Sequence, residues 1–211
     1  MIDVTAWRTR VPVQNRILQT VPCAVLVPVL SEEGKEELLF EVRSPKLGWQ
    51  PGDICFPGGS MEGDDASPWV TALRETREEL GITEGDIDLL GPLDYVESPV
   101  GVLVYPYAAR VKATEFTLSK GEVAKVFTVP LTWFETHEPQ RALMDMATKP
   151  APGFPKNLSV SAQRDWVRRR PYEVFIYRYG KYIIWGITAQ IIRNFLSIRL
   201  SMTKEYRGSK I

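Results

Sequence analysis

Histidine is almost missing from this 211-residue chain, which has only His137. With one imidazole, neither a zinc site nor a Ser-His triad has raw material. His137 itself reads as a loop residue in Thr-His-Glu-Pro. Cysteine is scarce too: Cys23 and Cys55 sit within Val-Pro-Cys-Ala-Val and Asp-Ile-Cys-Phe. Both contexts read as strands, so two buried thiols in a reducing, cytoplasmic setting are expected. No long apolar run is present. Val21 to Leu30 holds two prolines, and Tyr182 to Ile192 is interrupted by Gly186 and Gln190, whereas a spanning helix needs ~20 apolar residues. The opening residues Met1 to Trp7 lack the basic-then-apolar layout of a secretory signal, so a soluble protein is expected. Excess charge is absent as well, with 26 Lys plus Arg against 26 Asp plus Glu. Global electrostatics therefore argues for neither a nucleic-acid nor a membrane partner. Ionised chemistry in this chain must lean on carboxylates.

What is present is a β-rich start and one strongly marked helix. Pro22 to Leu30 and Leu38 to Arg43 read as a hairpin across a charged turn, and Asp53 to Phe56 as a short strand entering a tight turn at Pro57-Gly58-Gly59. Ser67 suits an N-cap, Pro68 the first helical position and Gly81 the position just past the end. Val70, Leu73, Arg77 and Leu80 keep the spacing of one buried stripe. Further strands are expected near Tyr95 to Val96, Val102 to Val111 and Val123 to Val129. A strand pair follows around Tyr172 to Tyr179, then an amphipathic helix from about Trp185 to Leu200. Residues 136–171, rich in Pro, Lys and Arg, have no assignment. Their basic run, Arg164 to Arg170, reads as a solvated helix face rather than a nucleic-acid contact.

Glu75, Glu78 and Glu79 stand on the capped helix. At ~100° per residue they share an arc of about a quarter-turn. Such crowding of negative charge is unfavourable unless cations offset it. A solvated face laced with ion pairs, such as Arg74 to Glu78, would account for an isolated cluster. Here a glycine pair and an acidic loop (Glu62, Asp64, Asp65) precede it, and paired glycines let backbone approach a ligand closely. Carboxylate and carbonyl oxygens together suit a hard cation, Mg²⁺ or Mn²⁺, and point to metal-assisted attack on phosphorus.

These residues closely resemble the Nudix box. Arg74-Glu75-Thr76-Arg77-Glu78-Glu79-Leu80-Gly81-Ile82 matches its second half at full spacing, with Thr76 in an apolar slot. Gly59 opens the first half, and Asp65, followed by one extra residue, stands where Glu is usual. Both departures are frequent in the coenzyme A branch of the family. That branch's upstream signature is matched by Arg43-Ser44, Gly52 and Phe56-Pro57-Gly58-Gly59, with Gly48 where Arg is usual. Ser98 to Pro106, Gly121 to Pro130 and Ile184 to Ala189 resemble further segments of it. The resemblance covers about residues 22–134 and 172–197.

The resemblance implies a single α/β (α+β) domain over residues 1–211, with a mixed β-sheet between helices and the box as loop-helix-loop. It implies Glu78 and Glu79 as principal metal ligands and a backbone carbonyl from Gly58 or Gly59. Glu75 becomes a further ligand or the general base, in competition with Glu122. Arg74 orients a box carboxylate and Asp65 braces the loop. Arg43 and Lys46 become candidates for substrate phosphates. The implied partner is a small-molecule nucleotide, and many relatives form homodimers. The implied reaction is hydrolysis of coenzyme A to 3′,5′-ADP and 4′-phosphopantetheine. Alternatives are a Nudix enzyme for ADP-ribose, NADH or a dinucleoside polyphosphate, or a silent binding module. Silence fits poorly with a chain that keeps Arg74, Glu75, Glu78 and Glu79.

Overall fold

The computed structural model describes residues 20–155 and 165–208. The opening residues Met1 to Trp7 and Arg164 lie outside these residues. Strands β1 (Val21–Glu32) and β2 (Lys35–Arg43) form the expected hairpin. Its two-residue turn, Glu33 and Gly34, has φ of 50° and 78°, the handedness that suits the strand twist. The remaining strands of this sheet are β3 (Ile54–Cys55), β4 (Gly58–Ser60), β5 (Ile87–Pro92), β6 (Val96–Glu97), β7 (Val102–Val111) and β8 (Val123–Pro130). Together they make one mixed eight-stranded sheet whose path runs β3-β2-β1-β7-β5. β1 pairs parallel with β7 from Val21↔Val102 to Leu30↔Val111, while β8 pairs antiparallel with β2.

Helix α1 (Pro68–Leu80) covers one face. Ser67 accepts a hydrogen bond from the Val70 N–H at 3.4 Å, and Gly81 ends the helix at φ 66° with its N–H on Arg77 O. Alternation along the strands sends Ala24, Leu26 and Leu39 toward this helix, where they meet Ala72, Leu73 and Leu80. Val27, Val29, Leu38 and Phe40 face the other way. There they meet a second layer made of β12 (Tyr172–Tyr179), β13 (Tyr182–Trp185) and helix α3 (Gly186–Gly208), through Phe175, Ile184, Ile192 and Phe195. The sheet thus lies between helices, as expected. A short helix, α2 (Leu131–Thr136), follows β8.

Several details differ from the sequence reading. On α1 the buried residues are Thr71, Ala72, Leu73, Thr76, Glu79 and Leu80, whereas Val70 and Arg77 are exposed. The inward stripe is rotated because it includes Thr76, whose hydroxyl donates to Ala72 O at 2.7 Å and so needs no other partner. Gly58-Gly59 is a strand rather than a turn, paired with Ala24 and Val25 of β1. Part of residues 136–171 is β9 (Gln140–Met144), an added strand on β12, and β10 (Ala147–Thr148), which pairs with β11 (Val167–Arg168). Within the basic run, Val167–Arg168 is therefore strand, not helix. Arg168 pairs with Asp145 and Arg169 donates to the Thr148 hydroxyl. His137 caps α2, its ring stacked on Trp133 at 4.4 Å. Both cysteines lie in strands but are only half-buried, because each borders a cleft.

Candidate active site

Arg74 is the hub of the box. Its guanidinium donates to both Asp65 oxygens, at 3.0 and 3.3 Å, and to Glu75 Oε1 at 3.0 Å. Glu78 lies 3.6 Å away, and Ser60 O also accepts from it at 3.4 Å. Asp65 accepts in addition from the Glu62 N–H and the Thr71 hydroxyl, each at 2.9 Å. The acidic loop is thereby tied to the helix. Arg74, then the Glu62 N–H, hold the Asp65 carboxyl well below the usual carboxylate range.

The three box glutamates grade from water inward. The Glu78 side chain is 57% exposed, Glu75 is half-buried, and Glu79 is buried at 6%. Glu79 Oε2 accepts from the Gly58 N–H at 2.8 Å, a contact that fixes the glycine strand against the helix. Gly58 has φ 151°, and any Cβ there would run into Ala24 O and Val25. A Cβ on Gly59 would meet the Glu75 carboxylate. Gly58 is required by its φ and by the closeness of backbone, whereas at Gly59 the neighbour is the end of the Glu75 side chain.

One member of the site has no sequence motif to announce it. Glu41 on β2 is 1% exposed, and its Oε1 has no hydrogen-bond partner among the described residues. Two positions beyond inward-facing Leu39, it points toward α1, where its carboxylate meets that of Glu79. Burial, then the Glu79 charge, pushes Glu41 well above the usual range, partly opposed by Arg43. Burial pushes Glu79 up to about 8, with the Gly58 N–H opposing and Glu75 and Glu122 adding to the rise. Burial also raises Glu75, against the pull of Arg74. Strand alternation was the signal that could have found Glu41, since an acid in register with Leu39 must face the helix. Glu122 stands in the loop just before β8 and accepts from the Ser119 hydroxyl at 2.8 Å. Its charge reaches Glu41, Glu75 and Glu79.

Arg43 reaches this centre: its charge acts on Glu41 and Glu79, and its guanidinium donates to Trp49 O at 3.4 Å. Lys46 is not brought in. It is exposed and is not among the residues that wall the cleft. That cleft, about 470 Å³, is walled by Gly58, Gly59, Ser60, Arg43, Cys23 and Cys55. Burial pushes the Cys55 thiol up to about 12 and raises Cys23, which disfavours the thiolate at both.

No three His, Cys, Asp or Glu side chains among the described residues stand as a ready-made chelate. The donor set nevertheless fits a hard cation. It is all oxygen, its carboxylates crowd one another, and the buried Glu41 oxygen lacks the partner that a cation would replace.

A mixed sheet thus lies between helices, with the carboxylates of one helix set against a glycine strand. The NUDIX domain family model matches residues 21–152, and the chain belongs to the Nudix hydrolase family. It is 41% identical to the peroxisomal coenzyme A diphosphatase ndx-8 of Caenorhabditis elegans over 116 residues, 52% of this chain and 50% of that protein. The corresponding Mus musculus protein, NUDT7, matches at 39% over 119 residues, 53% of this chain and 48% of its own length. The chain thus spans about half the length of these two relatives. An uncharacterized Nudix hydrolase, NudL of Enterobacter sp. (strain 638), is 31% identical over 187 residues, 88% of this chain and 86% of that protein. Among solved structures, a MutT/nudix family protein from Enterococcus faecalis superposes with a TM-score of 0.50 at 15% identity, over 92% of this chain and 67% of that one. That likeness speaks to the fold alone. No described helix is long and apolar enough to cross a membrane.

Proposed function

We propose that this chain hydrolyses the diphosphate of coenzyme A or its derivatives, giving 3′,5′-ADP and 4′-phosphopantetheine. The observation that carries the reading is the glycine strand held on Glu79, at the edge of the cleft that also exposes Arg43. The upstream Arg43-to-Gly59 segment and the two coenzyme A diphosphatases among the relatives support the substrate. Glu75, Glu78 and Glu79 would hold Mg²⁺ or Mn²⁺, with Gly59 beside them. When bound, the ion lowers the pKa of water and offsets charge on the phosphoryl oxygens.

The chain's own residues do the rest. Arg74 holds Glu75 in place while Asp65 holds Arg74, so the carboxylate is oriented before substrate arrives. Arg43 meets the negative diphosphate and offsets its charge. Glu75 and Glu122 are the two candidates to accept the proton of the attacking water; Glu75 already accepts from the Arg74 guanidinium and Glu122 from the Ser119 hydroxyl. Water adds to one phosphorus, the anhydride P–O bond breaks, and the departing phosphate takes the electron pair.

The test is incubation of purified protein with coenzyme A and Mg²⁺ or Mn²⁺, with 3′,5′-ADP measured by chromatography. ADP-ribose, NADH and diadenosine polyphosphates run beside it. Metal-dependent 3′,5′-ADP, reduced about a hundredfold or more in Glu78→Gln, is the expected result. Glu122→Gln and Glu75→Gln compared across pH at saturating metal assign the base, because with the metal site filled the acidic limb of the rate profile reports the proton acceptor. Cleavage of another substrate but not of coenzyme A would discard the substrate assignment.

A further inference from the structure

Glu41 is a buried acid that the reaction above leaves unused. It lies on β2, outside the box, and its neighbours give no ordinary reason for a carboxylate there. Leu39 precedes it on the same face of the strand, and Ala24 and Leu26 of β1 face the same helix. Its Oε1 is unpartnered among the described residues, although unpaired oxygen in a dry site is among the costliest groups to bury. A purely structural position would hold an apolar side chain or a satisfied polar one. The charge of Arg43 reaches Glu41, but the Arg43 guanidinium is directed at Trp49 O, at 3.4 Å from both Nε and Nη2. What Glu41 does meet is the carboxylate of Glu79, itself fixed by the Gly58 N–H at 2.8 Å. Two acids face each other beneath a helix only when a proton or a cation lies between them.

The surrounding charge favours a cation. Asp65 offsets Arg74. Glu41, Glu75, Glu78, Glu79 and Glu122 remain, with Arg43 the cation that acts on the inner two, Glu41 and Glu79. One divalent ion cancels only half of that excess. The position is also within reach of the cleft. Cys55, the register partner of Glu41 across β2 and β3, walls the cleft, as do Arg43 and Gly58. The acid pair thus stands one side chain behind the cleft surface, and its oxygens suit a hard ion.

We propose that Glu41 is a metal ligand: with Glu79 it holds a divalent cation on the inner side of the box helix, in addition to the ion taken by Glu75 and Glu78. The proposal rests on the reading of the box glutamates as ligands given above.

The experiment titrates Mn²⁺ into metal-free, full-length protein without substrate. Electron paramagnetic resonance follows both the free ion and the bound spectrum, and thermal melts are run with and without Mn²⁺. Wild type is compared with Glu41→Gln, Glu41→Leu, Glu78→Gln and Glu62→Gln. Glu62, 70% exposed and 3.9 Å from Arg74, controls for the loss of one charge near the helix. Wild type and Glu62→Gln are expected to take up roughly two Mn²⁺ per chain with the broadened spectrum of a spin-coupled pair. Both Glu41 variants should take up one, with the sharp spectrum of an isolated ion, and their melting temperatures should rise less on adding Mn²⁺. Melts in EDTA establish that the variants are folded. Wild-type uptake and spectra in both Glu41 variants, with loss only in Glu78→Gln, overturn the proposal. Glu41 then merely shares a proton with Glu79, and the box ligands stand. Uptake of a single ion by wild type overturns it as well. No Mn²⁺ bound by folded wild type removes the proposal and the box ligands together.

Discussion

Asp65, Arg74 and Glu41 show how single side chains hold this site in opposite ways. Asp65 is ionised and fully satisfied, and its folded-state pKa lies below its ordinary value of 3.8. A depressed carboxylate stabilises the fold above its unfolded pKa and loses that contribution as pH falls through the folded one. Asp65→Asn is therefore expected to melt lower than wild type at neutral pH. The gap should close as pH drops below about 4, read as paired thermal melts across pH; a gap that persists unchanged in acid would mean the charge is not what binds the loop. Glu41 is the reverse case, a buried carboxylate with one oxygen unpartnered. Glu41→Leu should stabilise the metal-free protein by about 1–3 kcal/mol, since it removes an unsatisfied buried group of similar volume. Urea melts in EDTA measure this, and a loss of stability would show that Glu41 has a partner after all.

Among the elements, the contact between strand β4 and helix α1 sets the geometry of the site. The helix ends were readable, because Ser67, Pro68 and Gly81 act on groups a few residues away. The strand was not, because Gly58 is shaped by Ala24 and Val25, more than thirty residues distant in sequence. Gly58→Ala places a methyl against backbone that cannot yield. It should cost about 1–3 kcal/mol and push the strand from Glu79. A denaturant melt combined with metal-dependent activity checks both effects, and wild-type values in both would mean that β4 has room to shift.

At the level of the molecule, α3 and the β12–β13 hairpin complete the core on the sheet face opposite α1. Phe175, Ile184, Ile192 and Phe195 cover Val27, Leu38 and Phe40 there. Fully burying each such side chain is worth roughly 1.5–3 kcal/mol. A chain cut after residue 152 keeps the whole stretch matched by the family model but uncovers that face. It is expected to aggregate or lose cooperative unfolding, as size-exclusion chromatography and circular dichroism would show. A folded, active truncation would make the C-terminal layer an accessory.

The helix and its caps, the β1–β2 hairpin, the box residues and the mixed α/β class were all legible in the chain, since each is written in neighbours a few positions apart. The scarcity of imidazole and thiol in the sequence is what directed the chemistry toward the carboxylates of α1. Tertiary structure decided what depends on register between distant strands. It brought Glu41 under Glu79, carried Arg43 to the cleft while leaving Lys46 outside, and turned part of residues 136–171 into a strand of the C-terminal layer. Periodicity sets which way a side chain leans, but only the pairing of β2 with β1 and the packing of α1 on that sheet decide what it meets.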